Sequence, residues 1–212
     1  YGIFNMDRMK GRTCIVLGAS RGMGRGIARG LGEAGAHVIA VARSEQALRL
    51  LQTEIISCAG QCTYIVTDLS NTDNVREIFE MYPDADMCVI STFSAVYDLM
   101  NTMGKVSWDI SKGDPGEFWD KVNNMGLRAN FIASTEYCRS IVSDKKHVLV
   151  NVSSWGGQMP VIDSAYGIGK AGLDRLGVEF HIAGKSKNIH SVVLYPGLVI
   201  TEQTGGHIHA SN

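Results

Sequence analysis

Short, almost unbroken apolar runs recur along this 212-residue chain. Between them lie longer stretches in which apolar residues return every three or four positions. The runs are TCIVLG at 13–18, HVIAVA at 37–42, CTYIVTD at 62–68, DMCVIST at 86–92, HVLVNV at 147–152 and HSVVLY at 190–195. Their length, β-branched content and bounding turn residues predict buried strands. The stretches between them predict helices: from about Met23 to Gly35, over 44–58 with Ser44 as N-cap, over 71–82, over 116–142 and over 164–184. Residues 97–116 show little periodicity and are expected to form a loop.

Strict alternation of strand and helix implies a parallel sheet with right-handed crossovers. Strands apolar at successive positions fit burial on both faces. The expected architecture is a doubly wound, Rossmann-type α/β sheet in three layers, with strand order 3-2-1-4-5-6 and residues 1–212 as one domain.

Composition narrows the partners. The net charge of −1 argues against nucleic acid or an anionic membrane. No apolar run is long enough to span a bilayer, and the amino end lacks a signal-peptide core. The expected location is cytoplasmic, or intracellular and organelle-associated. Cysteines at 14, 58, 62, 88 and 138 are odd in number and lack framework spacing. They read as buried thiols in a reducing compartment.

Two stretches carry candidate chemistry. In the first, Gly18, Ser20, Arg21, Gly22, Met23 and Gly24 join strand one to helix one. Glycines there let the backbone approach a pyrophosphate, and the helix start offers free N–H groups and a positive dipole end. An acid ending strand two would favour NAD(H), but that place is held by Ala42, followed by Arg43. Arg43 and Arg21 suit a 2′-phosphate, so NADP(H) is expected over NAD(H). Asp68 ends strand three, where it could accept from an adenine amine or cap the next helix.

The second stretch, Asn151 to Lys170, runs from a strand through a loop into a helix. Tyr166 and Lys170, four apart, share a helix face, and a serine at the strand end can meet them across the loop. A nearby ammonium is expected to lower the tyrosine pKa toward the neutral range, making it a usable acid or base.

Together, in chain order, these motifs resemble the short-chain dehydrogenase/reductase family: the Gly18–Gly24 segment, Asp68-Leu69, a serine before Tyr166, the Tyr166/Lys170 pair, and Pro196-Gly197 followed by Thr201. The resemblance implies Tyr166 as general acid/base and Lys170 as holder of the nicotinamide ribose. The serine would bind the substrate oxygen, and Pro196, Gly197 and Thr201 would border the nicotinamide. The reaction implied is hydride exchange between NADP(H) and a carbonyl or alcohol carbon of a small molecule, by a homodimer or homotetramer built on the long helices. No metal site is expected. His207 and His209 read as a tail rather than a ligand pair.

The chain departs from the family pattern in four places. Ser153 has the usual thirteen-residue spacing from Tyr166, but the local Ser-x-Gly-Gly pattern favours Ser154. The turn after strand four, normally Asn-Asn-Ala-Gly, falls within ISTFSA at 90–95. Gly126 stands where the family has an asparagine, and Asn123, one helical turn earlier, is left unassigned. Few residues follow Pro196-Gly197, so a helical substrate lid and a seventh strand are expected to be missing, as in a shortened version of the domain. These departures keep a second function open, a dinucleotide-binding scaffold or sensor with little turnover. The intact serine–tyrosine–lysine set favours the enzyme.

Overall fold

A computed structural model describes residues 8–102, 105–109, 114–197 and 199–202. Its sheet has six parallel strands in the order 3-2-1-4-5-6. They are β1 Thr13–Leu17, β2 His37–Ala42, β3 Gln61–Val66, β4 Met87–Ile90, β5 His147–Val152 and β6 Ile189–Leu194. The helices are α1 Gly22–Glu33, α2 Glu45–Ser57, α3 Thr72–Met81, α4 Val96–Met100, α5 Pro115–Asn123, α6 Ala129–Ser140 and α7 Ser164–Gly184.

Alternate residues of each strand feed opposite faces of the sheet, as the pleat requires. Ile15, Leu17, Ile39 and Val41 pack with Phe79 of α3 and Tyr137 of α6 on one face. Cys14, Val16, Val38 and Ala40 pack with Ala28 of α1 and Leu48, Leu51 and Ile55 of α2 on the other. Burial on both faces explains the unbroken apolar runs. A smaller cluster of Ala95, Leu99, Val122 and Ala165 lies beside the carboxyl end of β4, with Phe93 and Tyr166 against it.

Strand order reverses between β1 and β4, so their following connections diverge and leave a crevice at the carboxyl edge. Ser44 caps α2 as expected, accepting from the Ala47 N–H.

Three local expectations are corrected. The helix expected over 116–142 is three pieces: α5, a π-helical turn at Asn124–Arg128, and α6. The amide of Asn130 donates to the carbonyls of Met125 and Gly126 at 3.2 Å each, which supplies partners inside the widened turn. The expected loop contains α4 and a 3₁₀ turn at Ser107–Asp109, α4 being anchored by Leu99 in the small cluster. Cys58 is exposed at the end of α2 rather than buried, and all five cysteines are free.

Candidate active site

A cavity of about 450 Å3 occupies the crevice and runs from the β1–α1 loop to α7. Except for Asp68, every residue expected in the site lines it: Gly18, Ser20, Arg21, Gly22, Met23, Gly24, Arg43, Leu69, Ser154, Tyr166, Lys170, Pro196, Gly197 and Thr201.

At the β1–α1 end the surface is main chain. Gly18 has φ +84°, and a Cβ there would stand 2.5 Å from the Ser91 carbonyl oxygen. A Cβ on Gly24 would collide with the Gly18 carbonyl oxygen. Neither obstacle is a flexible side chain, so the sequence has no substitute for glycine here. Arg21 is the extended N-cap residue of α1, and the N–H of Gly22 donates to a carboxylate oxygen of Glu202 at 3.0 Å. The α1 start thus already receives an anion, as an uncapped helix N-terminus should. The cradle fits a dinucleotide pyrophosphate.

Arg21 and Arg43 are exposed, and no ion pair among the described residues holds either. Asp68 is also exposed. Its carboxylate accepts from the Ser70 N–H at 2.9 Å, a bond that with the nearby Arg43 charge holds its pKa below the usual carboxylate value. Asp68 does not cap α3, because Asn71 takes that place by accepting from the N–H groups of Asp73 and Asn74.

At the other end the surface is side chain. Asp163 caps α7 by accepting from the Tyr166 N–H at 2.8 Å, which fixes the helix start and sets Tyr166 and Lys170 toward the cavity. The Tyr166 hydroxyl donates to Ser154 Oγ at 2.7 Å. The turn carrying Ser154 packs so tightly that a Cβ on Gly156 would stand 2.5 Å from Tyr166 Cε1. Ser153 also touches the cavity, but its hydroxyl is engaged away from Tyr166, shared between Asp174 Oδ1 at 2.8 Å and the Lys170 carbonyl.

Lys170 is buried at 7% exposure, and its ammonium donates to the Val152 carbonyl at 3.1 Å. Burial pulls its pKa down to about 8, against a smaller upward pull from Asp174. Tyr166 moves opposite to expectation. Burial raises its pKa, outweighing the lowering hydrogen bond to Ser154, and Asp163 adds a small upward pull. Proximity to the lysine does not set the direction, because desolvation of the phenolate dominates in a site this closed.

Several residues of this end were not anticipated. Asp174, one turn beyond Lys170, accepts from Ser153 and from Gln158 Nε2 at 2.7 Å, and Tyr195 hydrogen-bonds to it as well. It ties α7 to the Ser154 turn and to the end of β6. Its spacing on the Tyr166–Lys170 face was the available signal. Phe93 also lines the cavity. Asn123, the unassigned residue, is turned toward α7, donating to the Ala165 carbonyl at 3.0 Å, and is not part of the wall. Met125 and Ile162 line the cavity, whereas Phe131 faces outward. His207 and His209 lie outside the described residues. Among the described residues, no group of three or more His, Cys, Asp or Glu is placed to hold a metal, and no helix is long and apolar enough to cross a membrane.

Residues 12–210 match the short chain dehydrogenase family, and the chain belongs to that family. Within it, the segments GQC at 60–62, VNNMGLR at 122–128 and YGIGKAGLDRL at 166–176 resemble dehydrogenase/reductase family member 1. The comparison agrees: the chain is 37% identical over 199 residues to Dehydrogenase/reductase SDR family member 1 of Mus musculus, and 35% identical over 205 residues to that of Homo sapiens. These alignments cover 92% and 94% of this chain but only 62% and 64% of the relatives, so the chain spans less than two thirds of their length. Among solved structures, a Pseudomonas aeruginosa RhlG/NADP active-site complex matches with TM-score 0.77 and 25% identity over 97% of this chain and 79% of that one. A metagenomic short-chain oxidoreductase in complex with NADP matches with TM-score 0.76 and 26% identity over 90% and 84%.

Proposed function

We propose that this chain is an NADP(H)-dependent oxidoreductase that moves a hydride between the nicotinamide and a carbonyl or alcohol carbon. Supporting this most is the 2.7 Å bond from the Tyr166 hydroxyl to Ser154, set beside a buried Lys170 in a cavity continuous with the glycine cradle. A pure binder needs the cradle but not that proton-transfer set.

Gly18, Ser20, Gly22, Met23 and Gly24 would hold the pyrophosphate, and Arg21 and Arg43 the 2′-phosphate. The NADP held by two similar structures favours the same cofactor over NAD(H). Asp68 and Leu69 would border the adenine, Pro196, Gly197 and Thr201 the nicotinamide, and Lys170 its ribose. The dinucleotide, when bound, supplies or accepts the hydride. Ser154 Oγ orients the substrate oxygen, and Tyr166 gives that oxygen its proton. A phenol whose pKa is raised keeps its proton at neutral pH and is a donor, which suits the reductive direction. Lys170, with a pKa near 8, remains mostly protonated at neutral pH. Exposed Phe131 on α6 and Val178 and Ile182 on α7 support a homodimer or homotetramer formed on these helices.

The second reading, a scaffold or sensor with weak turnover, is favoured by Phe93 and Gly126 standing where the family pattern has other residues. NADPH oxidation across a panel of ketones, quinones and steroids separates the two. Turnover with any of them above the substrate-free rate supports the enzyme; tight NADPH binding with none supports the scaffold.

A further inference from the structure

Two of the departures from the family pattern, at 90–95 and at 126, meet in space. A Cβ on Gly126 would lie 3.2 Å from Phe93 Cε2 and 3.3 Å from Cδ2. The contact is locked from behind. Thr92 Oγ1 donates to the Met125 carbonyl at 3.0 Å and receives the Asn130 amide at 2.9 Å, tying the β4 end to the π turn that presents Gly126. On its other side the Phe93 ring meets Tyr166 edge-on, with centroids 5.8 Å apart at 80°. The Lys170 ammonium sits 5.4 Å from the Phe93 centroid and 5.6 Å from that of Tyr166, with the Val152 carbonyl as its hydrogen-bond acceptor.

We propose that Phe93 is a positioning residue of this site and Gly126 its matched partner: the ring braces the Tyr166 phenol and shields the Lys170 ammonium from water, in space that a larger residue at 126 would take. The inference rests on the reading of Tyr166 and Lys170 as the proton-transfer pair.

Two opposing effects act on Lys170, and their sizes decide the sign. A ring beside an ammonium attracts it and favours the charged form, by about tenfold at a partly buried site. Exclusion of water disfavours the charged form. The fall from the ordinary 10.5 to about 8 is of the order of several hundredfold, so shielding dominates. The ionisable groups on this side of α7 are Tyr166, Asp174 and the capping Asp163. From the β4 end and the π turn, Thr92, Phe93 and Gly126 bring no charge, and β5 and its turn bring the Val152 carbonyl, Ser153 and Ser154. Removing the ring therefore changes water access more than any charge.

The test reads Lys170 without cofactor or turnover. Competitive acetylation with isotopically labelled acetic anhydride, followed by peptide mass spectrometry, gives the titration of each lysine from about pH 6.5 to about 10.5. In Phe93→Ala the Lys170 midpoint should rise by about one pH unit or more. A midpoint that stays where it is in the parent overturns the proposal. Phe93→Leu, which keeps apolar volume, serves if the alanine variant does not fold, and should shift the midpoint the same way by less. Thermal unfolding of Gly126→Leu, Phe93→Ala and the double variant tests the pairing. The double variant should lose less than the two single losses added, and strict additivity overturns it. If neither parent nor variant oxidises NADPH, the proposed function fails while the acetylation result still decides for Phe93.

Discussion

At the β1–α1 end of the cavity the candidate surface is main chain, and at the β5–α7 end it is side chain, with Lys170 buried and Ser154 and Tyr166 half-buried. The first end works by absence of volume: Gly18 and Gly24 have main-chain atoms where any Cβ would go. Its anion preference comes from the α1 start, where the Gly22 N–H already meets the Glu202 carboxylate, and from two exposed arginines. The second end works by exclusion of water. Ser154, Tyr166 and Lys170 are held by Asp163, Asp174, the Val152 carbonyl and Phe93, and burial, more than any single charge, sets both pKa shifts. A site of the first kind should lose more to a change in size than to a change in charge. A site of the second kind should respond to anything that admits water.

The largest effect that would break this contrast is in the cradle. Gly24→Ala forces a Cβ against the Gly18 carbonyl, and the α1 start must move. NADPH affinity, measured by fluorescence titration, should fall by about a hundredfold, equivalent to roughly 2.7 kcal/mol. Near-parent affinity would mean that the cradle is not where the pyrophosphate lies.

Lys170→Met comes next, and its stability effect carries the pH dependence. The folded pKa of about 8 lies below the ordinary 10.5, so between these limits the unfolded chain binds the additional proton. Stability therefore rises with pH across that window, and below it the whole cost of the buried charge is present. Urea unfolding near pH 7 should show the variant more stable than the parent by about 1–3 kcal/mol, although less active. The difference should shrink toward pH 10. A variant less stable than the parent at neutral pH would mean that the ammonium is solvated.

The smallest effect sharpens the contrast. Arg43→Asp leaves the glycine cradle untouched and changes only charge at the end of β2. It should weaken NADPH binding about tenfold and improve NADH binding. Equal affinity of the parent for both cofactors would remove the 2′-phosphate role of Arg43.

The two ends were also unequally legible in the sequence. The strands, their order and the cradle could be read because their signals are local: apolar runs bounded by turns, and glycines at fixed spacing between a strand and a helix. Tyr166 and Lys170 were readable for the same reason, by the four-residue spacing of one helix face. What escaped was long-range. The contact of Phe93 with Gly126 joins the end of β4 to a helix far along the chain, and neither residue alone signals it. The π turn follows from Asn130 reaching back to two carbonyls, which an apolar period over 116–142 does not encode. The rise in the Tyr166 pKa depends on how completely the walls close, and the Tyr-x-x-x-Lys spacing predicts the opposite direction. The hub at Asp174 lay on a face already recognised, but its partners Ser153, Gln158 and Tyr195 come together only in the fold.

In the proposed enzyme the pyrophosphate and the transferred proton are handled at separate ends of one cavity, with Tyr166 as the proton donor. Tyr166→Phe removes one hydroxyl and leaves the cradle unaltered. Its NADPH dissociation constant and its kcat, measured side by side with a ketone that the parent reduces, separate the two ends. We expect a dissociation constant within about twofold of the parent and a kcat lower by at least about a hundredfold. Retention of most of the turnover would mean that Tyr166 is not the proton donor, and loss of NADPH binding in step with turnover would mean that the two ends are not separate.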